Sequence, residues 1–278
     1  MEEKEVLIRE EKVAVSYHRG FGLVRSAVAG VLRALSDGKR RRQVEDALTL
    51  GPDQFTAAFG YCERCGLIAN EKPTAFGLAV LEHDATLSRV ATQWAMHYFI
   101  ASPSLNSPNY WAALVASSLG LARQIGQAEI AGSIIGFTKE ASNWEPSERT
   151  VKSGATAFIS TYSKEEGLGA LGILEDAGRN QYTVRQPRAV APLVYACLLA
   201  DYWERQWNDR PEVQLEEVTQ GELAHVLLLS ENKVNDLLGV LAAPDIALIK
   251  RQRKHLPYQV SRQPGLQAAN LWATHLYS

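Results

Sequence analysis

A chain of 278 residues, 46% hydrophobic and 22% charged, has the composition of an ordinary globular protein and room for one large domain or two small ones. Its net charge of −2 excludes a protein that binds nucleic acid over its whole surface, so any such contact has to come from a local patch. Three cysteines are too few for a disulfide framework and fit a reducing compartment. The acidic start Met1-Glu2-Glu3-Lys4-Glu5 is unlike a signal or transit peptide. No apolar run reaches the ~20 residues of a membrane span, so the expectation is a cytoplasmic protein with no membrane partner.

In chain order, Val6-Leu7-Ile8 and Val13-Ala14-Val15 are β-prone runs that predict a hairpin or one extended segment over residues 5–17. Val24, Val28, Val31 and Leu35 then repeat at helical spacing and predict a buried supporting helix that ends at Ser36-Asp37-Gly38. Four bases, Lys39, Arg40, Arg41 and Arg42, open a short helix reaching Leu48. After the turn Thr49-Leu50-Gly51, Pro52 starts a helix that runs to about Cys65, with Phe55, Ala58, Phe59 and Cys62 on its apolar face. The pair Leu67-Ile68, the tip Asn70-Glu71-Lys72-Pro73 and a new helix at Thr74 complete the order of a winged helix-turn-helix.

Beyond residue 83 the pattern is helical. Helices are predicted over 86–101, 109–121, 124–137, 147–162 and 164–174, with a short strand at Tyr182-Thr183-Val184 and a central core helix over 189–207. Residues 218–255 again resemble a helix-turn-helix, with Thr219 and Ser230 as caps and the base run Lys250-Arg251-Gln252-Arg253-Lys254-His255 just downstream. The expected protein is mainly α: a winged-helix head over 1–83, and a helical body over 84–278 that carries a second helix-turn-helix-like segment.

The chemistry points to binding. Lys39, Arg40, Arg41, Arg42 and Lys72 are the candidates for phosphate contact, and each phosphate neutralised adds about one unit of salt dependence. The bland alternative is a solvated helix whose bases pair with Glu45 and Asp46. On the Pro52 helix, Asp53, Gln54, Ala57, Tyr61 and Arg64 are expected to face outward, with Gln54, Tyr61 and Arg64 approaching a groove. Asp53 would repel phosphate, and Gly60 marks close approach by another backbone. Lys250, Arg251, Arg253 and Lys254 form a possible second basic patch, or else a helix C-terminus that favours cations.

Cys62-Glu63-Arg64-Cys65 is a lone CxxC with no further pair to complete the four ligands of a zinc site, and reads as two structural thiols. His83, Asp84 and His97 are the remaining acid-base candidates, the last read as a core histidine with satisfied ring nitrogens. Phosphate-loop, nucleophile-elbow and HExxH patterns are absent from the sequence, so no catalytic residue, metal or cofactor is expected.

The run His18-Arg19-Gly20-Phe21-Gly22-Leu23-Val24-Arg25, then Thr49-Leu50-Gly51 and Cys65-Gly66-Leu67-Ile68, resembles the bacterial family catalogued as domain of unknown function 4007. The resemblance continues through Pro73-Thr74-Ala75-Phe76-Gly77, Leu81-Glu82-His83-Asp84 and Thr92-Gln93-Trp94-Ala95-Met96-His97-Tyr98. It implies an accessory protein encoded beside DNA phosphorothioation and phage-defence genes. The expected partner is then double-stranded DNA. The alternative is an adaptor that holds a partner enzyme of such a system without touching DNA.

Overall fold

A computed structural model describes residues 15–105, 109–120, 123–142, 145–252, 254 and 256–278. All but the end of the expected strand pair over residues 5–17 lies outside them. Helix α1 (Arg25–Ser36) buries Val28, Val31, Leu32 and Leu35, as the spacing predicts. Val24 is its N-cap and is exposed, so the apolar stripe starts one turn later than expected. Helices α2 (Arg41–Ala47) and α3 (Pro52–Arg64) both pack on α1. Strands β1 (Ile68–Ala69) and β2 (Lys72–Pro73) pair antiparallel across Asn70 and Glu71, whose φ of 51° and 59° are those of a primed hairpin turn. Thr74 caps α4 (Ala75–His83) by accepting from Gly77 N–H.

The body begins with α5 (Val90–Ala101) and α6 (Tyr110–Ser118). Strand β3 (Gln124–Gly126) leads into the hairpin of α7 (Gln127–Ser142) and α8 (Glu148–Ser163). Residues 164–174 do not form the expected helix. Gly167 lets the Thr161 carbonyl approach to 2.4 Å from where a Cβ would stand, and Gly172 takes φ +68°. The segment therefore folds as one 3-10 turn, Gly169–Leu171, before β4 (Leu174–Gly178). Strand β5 (Gln181–Val184) is the expected short strand, and the sheet order is β3-β5-β4.

Helix α9 (Pro192–Tyr202) is the central core helix, buried from Val194 to Ala200, and it loosens into a π turn at Trp203–Trp207. Then come β6 (Glu212–Gln214), α10 (Leu215–Thr219), α11 (Glu222–Val226), α12 (Glu231–Leu241), β7 (Ile249–Gln252), β8 (Gln259–Arg262) and α13 (Ala268–Thr274). Two sequence expectations change here. Thr219 ends α10 instead of capping a helix, and Lys250 and Arg251 of the base run lie on a strand, not at a helix C-terminus. Ser230 does cap α12.

The molecule is thus mainly α, with three small antiparallel sheets among the described residues. One apolar core runs across position 83: the Phe76 ring of α4 lies 5.0 Å from Trp272 of α13 and 5.5 Å from Phe99 of α5. Asp84 fastens this junction. Its carboxylate accepts from Ser88 N–H (3.0 Å), Arg89 N–H (2.8 Å) and Thr92 Oγ1 (2.6 Å). Deeper in, Trp111 Nε1 donates to Tyr162 Oη (3.0 Å), which donates to His97 Nδ1 (2.7 Å). His97 Nε2 must then carry the proton it donates to the Val226 carbonyl, at 2.7 Å.

Candidate nucleic-acid interface

The start of α2 is exposed at all four bases. Gln43 closes its first turn by accepting from Arg40 N–H at 2.9 Å, so no acidic side chain is used there. Among the described residues none of Lys39, Arg40, Arg41 and Arg42 has an ion-pair partner, and the local pairs with Glu45 and Asp46 do not form. Arg41 is engaged otherwise: its guanidinium sits 4.3 Å above the Phe59 ring. Beside it, burial holds the Glu63 carboxyl above its ordinary value despite Arg41 and Arg64. Lys72 stands exposed on β2 at the hairpin tip, and β2 packs on the same α1 that carries α2.

Helix α3 presents less than its spacing suggests. Asp53 and Gln54 face solvent, as expected, with Gln54 Oε1 accepting from Gly51 N–H at 3.2 Å. Ala57 and Tyr61, expected to face outward, are buried, and the Tyr61 hydroxyl donates to the Phe21 carbonyl at 2.9 Å. The cause is the segment 17–21, which lies across this face. The Tyr17 ring is 5.6 Å from Tyr61, and the Tyr17 carbonyl would sit 3.3 Å from a Cβ on Gly60. The backbone that approaches Gly60 is thus the protein's own. Arg64 is half-buried, its guanidinium stacked 4.2 Å from the Tyr17 ring. One residue that sequence reasoning missed is Arg19, held at φ 49° with its Nε 3.9 Å from Asp53. It offsets the acidic charge at the helix start, and only Arg19-Gly20 beside a turn could have signalled it.

The C-terminal base run divides. Lys250 and Lys254 are exposed. Arg251 is tied down, donating to Asn235 Oδ1 (2.8 Å) and to the Asn235 carbonyl (3.1 Å) of α12. Arg253 lies outside the described residues. The structure therefore leaves Lys39, Arg40, Arg42, Gln54, Lys72, Lys250 and Lys254 open to a partner. It withdraws Tyr61 and Arg251 into the fold and leaves Arg41 and Arg64 stacked on rings.

Apart from His83, the other polar candidates serve the core. Cys62 and Cys65 are buried free thiols pushed up by burial, and Cys197 is pushed up to about 12 by burial. His97 is lowered to about 4, again by burial, and so is His18, whose Nδ1 accepts from Gly20 N–H. His83 is exposed, 3.8 Å from Glu82. Among the described residues no group of three His, Cys, Asp or Glu side chains is placed to hold a metal ion, and no helix is long and apolar enough to cross a membrane.

Two solved structures share this architecture, a magnesium ion-bound SspB crystal structure and an SspB crystal structure. Each has a TM-score of 0.73 and 12% sequence identity, and the likeness covers 93% of this chain and 92% of the other. At that identity the likeness is one of fold. Among curated proteins none matches the sequence. The family model described as Protein of unknown function (DUF4007) matches residues 56–271, and the chain belongs to that family.

Proposed function

We propose that this protein is a non-catalytic DNA-binding component of a bacterial DNA-modification or antiphage system, one that grips the duplex by its phosphates. The observation that carries this reading is the set of free, exposed cations Lys39, Arg40 and Arg42 at the start of α2. Lys72 extends the set on a hairpin carried by the same supporting helix. We read the order α1, α2, α3, hairpin as a winged helix-turn-helix. Because α3 is covered at its middle, the head positions the protein on the backbone, and Gln54 alone is left to touch a base edge.

The C-terminal elements support the same reading. We read the order α9, β6, α10–α11, α12, β7, β8, with sheet order β6-β8-β7, as a second arrangement of that kind, with Lys250 and Lys254 on its hairpin. The modification or defence context is part of this reading and is carried from the family resemblance of the sequence. A binding role without chemistry of its own fits the use of His97, Asp84 and the thiols inside the fold.

The test is a mobility shift on duplex DNA across a salt series. Replacing Lys39, Arg40 and Arg42 together by alanine should weaken binding and cut the salt slope by about three units. Absence of binding at low salt ends the proposal. A second reading, a scaffold that holds a partner enzyme, is favoured by Phe21 and Val24, each 38% exposed beside a notch shared with Leu50. It expects a stable complex with neighbouring gene products that the same three replacements leave intact.

A further inference from the structure

A cavity of about 570 Å³ lies between the segment 186–192 and α12, floored by the chain that leaves α11. That volume suits a small organic ligand. The floor and much of the walls are apolar, with Leu227, Leu237 and Val190 buried and Val240 39% exposed. Leu228, also lining the cavity, is held at φ 55° where α11 ends, its N–H donating to the His225 carbonyl. That left-handed position is ordinarily glycine, so a large apolar side chain persists there against backbone preference. Charges sit on both walls: Arg188 on the segment, and Lys233 and Asp236 on α12. All three are exposed, and none has an ion-pair partner among the described residues.

These features narrow the occupant. A wholly apolar ligand would cover Arg188 and Lys233 and leave their charges unanswered. An inorganic anion would satisfy the cations and leave most of the apolar volume unfilled. A planar base carrying a phosphate does both. We propose that this cavity binds a nucleoside 5′-phosphate, the base on the Leu227–Leu237 floor and the phosphate between Arg188 and Lys233. The Asp236 carboxylate, an acceptor only, then favours a base that offers adjacent donors, as guanine does with N1–H and N2–H. Free nucleotide and the 5′-phosphorylated end of a strand share this chemistry. The site does not depend on the α2 cations.

The experiment is calorimetric titration of the full chain with dGMP, dAMP, inorganic phosphate and a short 5′-phosphorylated oligonucleotide. The expected result is saturable one-to-one binding of dGMP, weaker binding of dAMP, and none of phosphate alone. Arg188→Ala and Lys233→Ala, both at exposed positions, should each weaken it by about tenfold, as loss of one charge-assisted contact does. Asp236→Asn should level dGMP with dAMP. Binding of the oligonucleotide but not dGMP supports the site and assigns it to a strand end; the reverse assigns it to free nucleotide. Failure of both to bind, equal binding by phosphate alone, or unchanged affinity in both cation variants overturns the proposal. Retention of dGMP binding by the Lys39/Arg40/Arg42 variant separates this site from the duplex contact.

Discussion

The head and the C-terminal unit carry the same sequence signal, a helix-turn-helix pattern beside a base run, and the fold treats the two runs differently. At the start of α2 the bases stand at a helix end whose first turn is closed by the Gln43 side chain, so Lys39, Arg40 and Arg42 are left without an ion-pair partner among the described residues. On β7 the strand geometry turns alternate residues inward, so Arg251 is spent on Asn235 while Lys250 faces out. Helices α3 and α12 differ as well. The segment at Tyr17 covers the middle of α3, whereas α12 borders an open cavity. Charge count does not distinguish two such sites. What each cation already touches does.

The sharpest test of that contrast is functional at one end and structural at the other. With Lys39, Arg40 and Arg42 replaced by alanine, duplex affinity should fall by about two orders of magnitude at ~0.1 M salt, with the melting temperature unchanged. Equal loss from Lys250 and Lys254 would erase the distinction between the units. Next in size is acid stability. Burial holds His97 at about 4, below its unfolded value near 6.5. The folded state therefore binds fewer protons, and the stability His97 contributes is present above pH ~6.5. It is lost as pH falls toward 4, up to about 3 kcal/mol. His18 in the head is lowered to the same value and acts in the same direction. Because one core joins head and body, urea melts between pH 7 and 4.5 should show a single, weakening transition. Two transitions would mean that the regions fold separately.

Arg251→Ala comes third. It removes two hydrogen bonds from a half-buried guanidinium and should cost about 1–3 kcal/mol, where Lys250→Ala costs next to nothing. Thermal melts of the two variants read the difference directly.

Much of this was legible in the sequence because it is local. The α1 stripe, the Pro52 start, the Ser230 cap and the core face of α9 all follow from spacing and cap chemistry over a few residues. The open bases were legible as bases, but their freedom was not, since it depends on where Glu45 and Asp46 point. The misreadings share another cause. Tyr61 fits the outward face of α3 taken alone, and it is buried because residues 17–21 arrive from outside the helix to cover it. The segment 164–174 has helical apolar spacing, and its glycines give way to tertiary close approach. The cavity beside α12 draws on α5, the 186–192 segment and the chain that leaves α11, which no local pattern brings together.

The smallest effect probes what remains of base reading in the head. Gln54 spends its Oε1 on Gly51 N–H and has only its amide N–H groups to offer, so it can meet acceptors but cannot make the paired contact an adenine edge asks of glutamine. Asp53 beside it is partly offset by Arg19, at 3.9 Å. Gln54→Ala should then lower duplex affinity about twofold, equally across sequences, since a neutral contact at an exposed site contributes about 0.5 kcal/mol. Arg19→Ala should do slightly more, because it uncovers the Asp53 charge toward the same phosphates. Binding measured on a panel of duplexes checks both. A Gln54→Ala loss confined to one base step would mean that α3 reads DNA after all, and that the Tyr17 segment moves aside when it does.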